Sequence, residues 1–148
     1  MKRILLIVAI SCYLFSCNDN EEKLVITSFG NCSGGILTDS LSIHTQLIGT
    51  WTWTERHCPC CSDAKPTLAD KYVTATFNSN STFTVLENST SVITGTWEVQ
   101  KNLNDYVVSI NKEGTGIYLN GSISICENQL LADMSPVDGC KHLFIKAK

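Results

Sequence analysis

The densest group of reactive side chains lies between His57 and Cys61, where the order is His-Cys-Pro-Cys-Cys. Three thiols and one imidazole this close together suit three kinds of chemistry: structural disulfides, binding of a soft metal ion such as Zn(II) or Cu(I), or a redox-active cysteine pair. A metal ligand or an attacking cysteine is a thiolate, whereas a cysteine in a disulfide has no free thiol. The three interpretations therefore differ in the number of free thiols that they predict.

Structural disulfides are the interpretation that we favour for this cluster. Zinc sites built from cysteines usually pair two Cys-x-x-Cys units, and only the span from Cys58 to Cys61 has that length. A metal site made by His57, Cys58, Cys60 and Cys61, with Cys32 as an outside ligand, stays an alternative. Thioredoxin-like redox chemistry needs a βαβ unit and a helix N-terminus that lowers the thiol pKa, and the sequence indicates neither.

The first 17 residues predict a lipoprotein signal peptide. Two basic residues precede an apolar run at 4–10, which is shorter than the roughly 20 residues of a membrane-spanning helix. The Leu-Phe-Ser-Cys tetrad that ends at Cys17 resembles the lipobox of bacterial lipoproteins. This resemblance implies that Cys17 is acylated and becomes the mature N-terminus. Because one acyl chain binds a membrane only marginally, two or three chains would be needed for a stable anchor.

An acidic run follows at 18–22 and predicts a solvated tether, since it has no apolar residue to bury. It resembles the acidic export signal of surface lipoproteins of Bacteroidota. Without residues 1–17 the chain has nine basic and fourteen acidic residues, which lowers the net charge from −3 to −5. We expect the protein to be anchored to the outer membrane. Whether it is exposed at the cell surface or faces the periplasm stays undecided. Scattered basic residues argue against a nucleic-acid partner.

Six cysteines remain after Cys12 leaves with the signal and Cys17 carries lipid: Cys32, Cys58, Cys60, Cys61, Cys126 and Cys140. An even number in an oxidising compartment predicts three disulfides. Cys126 and Cys140 bracket a predicted hairpin, and a bridge between them would close a loop of about 15 residues for roughly 3 kcal/mol. Bridging Cys32 to one of the clustered cysteines would then tie residues 23–46 to the folded domain.

The elements that would position these groups are short strands. Runs of β-branched and aromatic residues separated by Asn, Ser, Gly and Asp predict eight strands of an antiparallel meander, at 47–56, 71–77, 82–87, 92–99, 105–111, 116–125, 129–133 and 142–147. In the first strand Trp51 and Trp53 alternate with threonines, so the two indoles share one face. The Asn-Gly pair at 120–121 predicts a bulge or a split in the sixth strand. We find no helical periodicity after the signal.

Eight strands in sequence favour a closed barrel or a sandwich. The segment 47–51, Leu-Ile-Gly-Thr-Trp, resembles the Gly-x-Trp first strand of lipocalin-like families, and the resemblance continues loosely to the last strand. It implies an all-β, lipocalin-like barrel at 46–148, preceded by a tether and N-terminal segment at 18–45, with Trp51 packed across the closed base. The cysteine-rich insertion after the first strand departs from the family pattern.

The predicted barrel suggests a non-enzymatic protein that binds a small apolar or amphiphilic ligand. The candidates for the lining are Trp53, Phe77, Phe83, Val85, Trp97, Val107 and Tyr118. The same side chains could form plain core, because an eight-stranded barrel is only just wide enough to fill itself. Two alternatives stay open. The protein could handle a metal ion with the 57–61 cluster, or it could be a structural or interaction module without a small ligand. No catalytic motif is present, and we expect a monomer without a cofactor.

Overall fold

The computed structural model describes Ile26, Phe29 and residues 32–59, 65–103, 105–114 and 116–148. Within these residues the chain forms one α-helix, a short 3-10 helix and nine strands. In chain order they are α1 (Ser40–Leu47), β1 (Gly49–His57), β2 (Thr67–Leu68), β3 (Val73–Phe77), β4 (Thr82–Glu87), β5 (Thr90–Asn102), β6 (Asp105–Gly114), β7 (Ser122–Cys126), β8 (Gln129–Asp133), the 3-10 helix (Ser135–Val137) and β9 (Lys141–Lys146).

The strands form one antiparallel sheet that curls into a nearly closed barrel. Its order is β6-β5-β4-β3-β1-β9-β8-β7, and the two end strands, β6 and β7, approach each other. The two-residue strand β2 lies off this path and pairs with β1. The prediction of an all-β antiparallel barrel of about eight strands is confirmed.

The elements differ from the sequence-based expectation at two main places. The predicted strand at 116–125 forms only as β7, because Gly121 turns the chain at φ +81° and a Cβ there would lie 2.0 Å from the Asp133 carbonyl oxygen. One helix, α1, forms although the sequence shows no helical periodicity after the signal. Asp39 caps α1 by accepting a hydrogen bond from the Ser42 amide at 2.8 Å. An eight-residue helix spans only about two turns, too few to repeat a helical pattern.

Helix α1 covers one end of the barrel. The Trp51 indole is fully buried there and donates to the Leu47 carbonyl at 2.8 Å, as the resemblance to lipocalin-like families implied for a base tryptophan. His44 of α1 contacts the Trp97 ring, with centroids 4.9 Å apart. Since β1 begins at this end, its last residues lie at the opposite end, which we call the mouth.

A β-bulge in β1 decides which side chains face inward at the mouth. Trp51 and Trp53 both face the interior, as predicted, but the pairing with β9 shifts by one residue between Trp53 and Glu55. Glu55 therefore lies opposite Leu143, on the outer face of the sheet, and Arg56 lies opposite His142. The bulge thus turns the next charged side chain, Arg56, toward the inner face.

Two disulfides are present among the described residues, and neither predicted pairing is correct. Cys32 bonds Cys126, which ties the N-terminal segment to the outer face of the barrel, where Ile26 and Phe29 pack. Cys58 bonds Cys140. These two residues continue the β1–β9 register beyond the last pair, so their Cα atoms lie only 4.2 Å apart.

The predicted Cys126–Cys140 bridge was wrong because the two residues lie at opposite ends of β9. Cys126 lies at the β7–β8 turn, which the β8–β9 pairing places beside Ile145, whereas Cys140 precedes Lys141. Five extended residues separate these positions by about 17 Å, far beyond the roughly 7 Å that a disulfide allows. The predicted bridge from Cys32 to the 57–61 cluster was wrong as well, although Cys32 does tie the N-terminal segment down.

Candidate functional site

Six of the seven predicted lining residues pack against one another in the barrel interior: Trp53, Phe77, Phe83, Val85, Trp97 and Tyr118. None is more than 6% exposed. The rings of Phe77 and Phe83 stack with centroids 5.6 Å apart, and Phe77 meets Trp97 edge-on at 6.1 Å. A Cβ at Gly95, opposite Phe83, would lie 2.9 Å from that ring, so this glycine makes room for it. These six side chains serve as core.

Val107, the seventh candidate, lies on the other face of its strand, so its placement in the interior was wrong. Its neighbour Val108 packs in the core, and Tyr106 and Ile110 pack against the core on the same face. Because side chains alternate along a strand, Val107 points outward, opposite Gln100. Both line a surface groove of about 560 Å³ between β6 and β7.

An aromatic cluster closes the barrel at the mouth. It consists of Trp53, Tyr118 and His142, whose ring centroids lie 5.2 to 5.9 Å apart, and we call it the mouth cluster. The Trp53 indole donates to the Glu55 carbonyl oxygen at 2.8 Å. Residue 142 is only 3% exposed, and its Nδ1 has no hydrogen-bond partner. The cluster thus holds one buried polar atom that nothing satisfies.

A charged network lies beside the mouth cluster. Glu87, at the end of β4, accepts hydrogen bonds from the Tyr118 hydroxyl at 2.5 Å and from the Lys71 ammonium at 2.7 Å. These two donors hold the pKa of Glu87 below its ordinary value. Burial, together with the Glu87 charge, raises the pKa of Tyr118, so its hydroxyl stays protonated. Glu87 is therefore fully engaged by neighbours.

Arg56 lies beside His142 of the mouth cluster. Burial, with a smaller contribution from the Arg56 charge, lowers the pKa of His142 to about 4, so the imidazole is neutral at pH 7. Arg56 is half-buried and lies directly opposite His142 in the β1–β9 register. Among the residues that the structure describes, none forms an ion pair or a side-chain hydrogen bond with its guanidinium.

A surface hollow of about 600 Å³ adjoins the mouth cluster. Its walls are Trp53, Thr54, Leu68, Ala69, Asp70, Lys71, Tyr72 and Asn88. Leu68 and Tyr72 are 69% and 62% exposed, so two large apolar side chains lie side by side with a charged rim in this hollow. Backbone hydrogen bonds of 2.8 Å, from the Ala69 amide to the Thr54 carbonyl and from the Asn88 amide to the Tyr72 carbonyl, hold the hollow in shape.

Sequence reasoning missed most of this site. It placed Trp53 and Tyr118 correctly on the inner face, but it assigned no role to His142 or Arg56. A simple alternation from Trp51 would have put position 55 inward and position 56 outward, and the bulge reverses that order. The signal that could have helped is the apolar pair Leu68 and Tyr72 in an otherwise polar loop.

The 57–61 cluster is only partly described. Cys58 is bonded to Cys140, so it offers no thiolate to a metal ion. No group of three or more metal-ligating side chains occurs among the described positions. Cys60 and Cys61 lie outside the described residues, as does the predicted lipidation site, Cys17.

Comparison of the chain with protein-family models, with curated proteins and with solved structures finds no match in any of the three. In the part of the chain that is described, no helix is long and apolar enough to cross a bilayer.

Proposed function

We propose that this chain is a lipid-anchored, non-enzymatic barrel lipoprotein that binds a small amphiphilic molecule at the hollow beside its mouth. The observation that carries the proposal is the combination of exposed Leu68 and Tyr72 with the charged rim of the hollow, next to a barrel interior that is filled with core. Binding sites for small molecules combine apolar walls with a few fixed polar groups, and the hollow has both.

The position of the exposed apolar side chains favours a binding surface over incidental exposure. Leu68 belongs to β2, whose residues pair with Glu55 and Arg56, so the side chain is presented from ordered backbone. A wall that is already in place loses little conformational entropy on binding. Covering apolar surface is worth about 25 cal/mol per Å², so an alkyl chain over Leu68 and Tyr72 would gain affinity from both.

The polar rim favours an amphiphile over a purely apolar ligand. Lys71 and Asp70 both line the hollow, and Lys71 is held in place by its ion pair with Glu87. A fully apolar molecule would remove water from Lys71 and Asp70 without offering either charge a polar contact, which costs free energy. A ligand with a polar head and a short apolar chain avoids that cost.

The membrane anchor in this proposal rests on the sequence alone. It is supported by the two basic residues, the short apolar run and the Leu-Phe-Ser-Cys tetrad ending at Cys17. The predicted tether at 18–22 would leave the mouth in water. The metal-handling alternative has no observation in its favour, because Cys58 is committed to a disulfide.

Calorimetric titration of the full chain in phosphatidylcholine vesicles tests the binding site, with empty vesicles as the blank. Octyl glucoside is a suitable probe because it has a neutral head and stays monomeric at low concentration. We expect Leu68→Ser and Tyr72→Ser each to weaken binding about tenfold, since each removes apolar contact worth about 1.4 kcal/mol. Leu103→Ser is the matched control, because Leu103 is 88% exposed and lies in the β5–β6 turn at the opposite end of the barrel. Equal affinities in all four proteins would refute the proposed site.

A further inference from the structure

The barrel has an open seam between β6 and β7. These are the two end strands of the sheet, and no hydrogen-bonded pairing joins them in the described part of the chain. The groove at this seam is lined in part by Asn120 and Gly121, which form the only Asn-Gly pair in the sequence. Asn120 is half-buried and Gly121 is exposed, so water reaches the pair through the groove.

An Asn-Gly pair can lose ammonia without an enzyme. The backbone nitrogen of the glycine attacks the asparagine Cγ, and the approach is unhindered because glycine has no Cβ. Here the bond from the Gly121 nitrogen to the Asn120 Cγ forms, the Cγ–Nδ2 bond breaks, and Nδ2 leaves as ammonia with the proton of the Gly121 amide. Water then opens the cyclic imide at either carbonyl, which gives an aspartate or an isoaspartate.

The attacking amide is not held by a backbone hydrogen bond. The β7–β8 pairing begins only at Ser122, which lies opposite Asp133. The amide of Gly121 has no hydrogen-bond acceptor among the described residues. Its reaction with the Asn120 side chain therefore breaks no hydrogen bond of the described sheet.

Lys112 contacts the carbonyl that is attacked. Its ammonium donates hydrogen bonds to Asn120 Oδ1 and, at 3.2 Å, to the Gly116 carbonyl oxygen. Attack on Cγ places negative charge on Oδ1, and a donor that is already on this oxygen stabilises the charge as it develops. Burial lowers the pKa of Lys112, which makes its ammonium a stronger acid.

The fold itself requires the glycine of this pair. Gly121 has φ +81°, and a Cβ there would lie 2.0 Å from the Asp133 carbonyl oxygen. A side chain at this position would therefore be strained and would clash with backbone. The residue that makes Asn120 reactive is thus the one that the turn into β7 needs.

The product of the reaction would supply a charge that Lys112 lacks. No described carboxylate forms an ion pair with Lys112, although its ammonium is half-buried. A partly desolvated charge without a counter-charge is costly. A carboxylate at position 120 would accept the same hydrogen bond from Lys112 and make it charge-assisted.

We propose that Asn120 is a site of spontaneous deamidation that Lys112 promotes, and that the aspartate product forms an ion pair with Lys112 at the seam. Water is the only co-reactant, ammonia is the leaving group, and the groove gains one negative charge. The site is separate from the proposed ligand site, because the groove and the hollow share no lining residue.

Timed incubation of the full chain in phosphatidylcholine vesicles at mildly alkaline pH tests the reaction. Peptide mass mapping follows it, and electron-transfer fragmentation distinguishes aspartate from isoaspartate. Digestion in water enriched in heavy oxygen labels any deamidation that occurs during sample preparation. We expect Asn120 to react before Asn78, Asn80 and Asn88, because each of those precedes a serine, whose Cβ hinders the attack.

Variants assign the promotion to Lys112. In the folded protein Lys112→Gln should slow the reaction of Asn120 about tenfold, the value of one hydrogen bond from a charged donor. Lys112→Arg keeps a charged donor and should react within about threefold of the wild type. Lys101→Gln is the control of equal charge change, since Lys101 is exposed and lies near the α1 end of β5. In urea all four chains should react at one rate, because the contact with Asn120 is lost.

The ion pair has its own readout. Asn120→Asp mimics the aspartate product and should raise the urea midpoint of unfolding, and adding Lys112→Gln to that chain should remove the gain. Equal reaction rates of folded wild type and Lys112→Gln would overturn the promotion by Lys112, and an unchanged midpoint of Asn120→Asp would overturn the ion pair. Loss of ammonia with Lys112 cross-linked to Asn120 would also overturn the proposal, since the lysine would then be the nucleophile.

Discussion

Replacing His142 by phenylalanine should remove a large part of the dependence of stability on pH. His142 is buried, its Nδ1 has no partner, and its pKa is lowered to about 4. In the unfolded chain the imidazole titrates near its ordinary pKa of about 6.5. Between these values the unfolded chain binds more protons than the folded one, so the free energy of unfolding rises with pH and is lost on acidification.

The size of the effect follows from the two pKa values. At pH 5.5 the imidazole is about 90% protonated in the unfolded chain and about 3% protonated in the folded protein. The wild type should therefore lose about 1.3 kcal/mol of unfolding free energy through this residue between pH 7.5 and 5.5. The loss should approach about 3 kcal/mol once the pH falls to the folded-state pKa.

Urea unfolding at pH 7.5 and 5.5, followed by tryptophan fluorescence with disulfides intact, measures this loss. The pH 5.5 limit keeps Glu87 and Asp133 ionised, because the pKa of each is held below its ordinary value. Comparing the two pH values within each protein cancels the cost of fitting the larger phenylalanine ring. His142→Phe should lose about 1.3 kcal/mol less than the wild type on acidification. The same pH difference in both proteins would refute the reasoning.

Three further predictions concern the scaffold and the anchor. Replacing both Cys58 and Cys140 by alanine should lower the free energy of unfolding by about 4.5 kcal/mol, the loop-entropy value for a bridge spanning 82 residues, and unchanged urea midpoints would contradict this. Gly121→Ala should lower the thermal unfolding temperature more than Gly35→Ala. Both glycines have positive φ, but only the Cβ added at position 121 would meet a carbonyl oxygen, at 2.0 Å. Cys17→Ser should abolish palmitate labelling and release the protein from membranes; retained label would rule out acylation at that residue.

Local patterns in the sequence predicted much of the barrel. Period-two alternation put Trp51 and Trp53 on one face, and turn residues placed strands at 82–87 and 129–133, where β4 and β8 form with the same bounds. These features depend on neighbouring residues alone, which is why one sequence suffices to find them. The two-turn helix α1 had a capping aspartate but too few turns to show a period.

Features set by pairing between distant strands could not be predicted. The bulge that turns Arg56 inward exists only in the β1–β9 pairing, and the two disulfides join residues that are 94 and 82 positions apart in the sequence. The mouth joins side chains from strands or loops that are far apart in sequence, such as Glu87, Tyr118 and His142. Their combination appears only when the barrel closes.

The most direct test of the account is the position of a bound amphiphile, read from the indole N–H signals of the three tryptophans. Trp53 lines the hollow at the mouth, whereas Trp51 and Trp97 lie at the end that α1 covers. A spin-labelled octanoate added to the full chain in nanodiscs should broaden the Trp53 signal more strongly than the signals of Trp51 and Trp97. Broadening of Trp51 and Trp97 with a sharp Trp53 signal, or of none of the three, would contradict binding at the mouth.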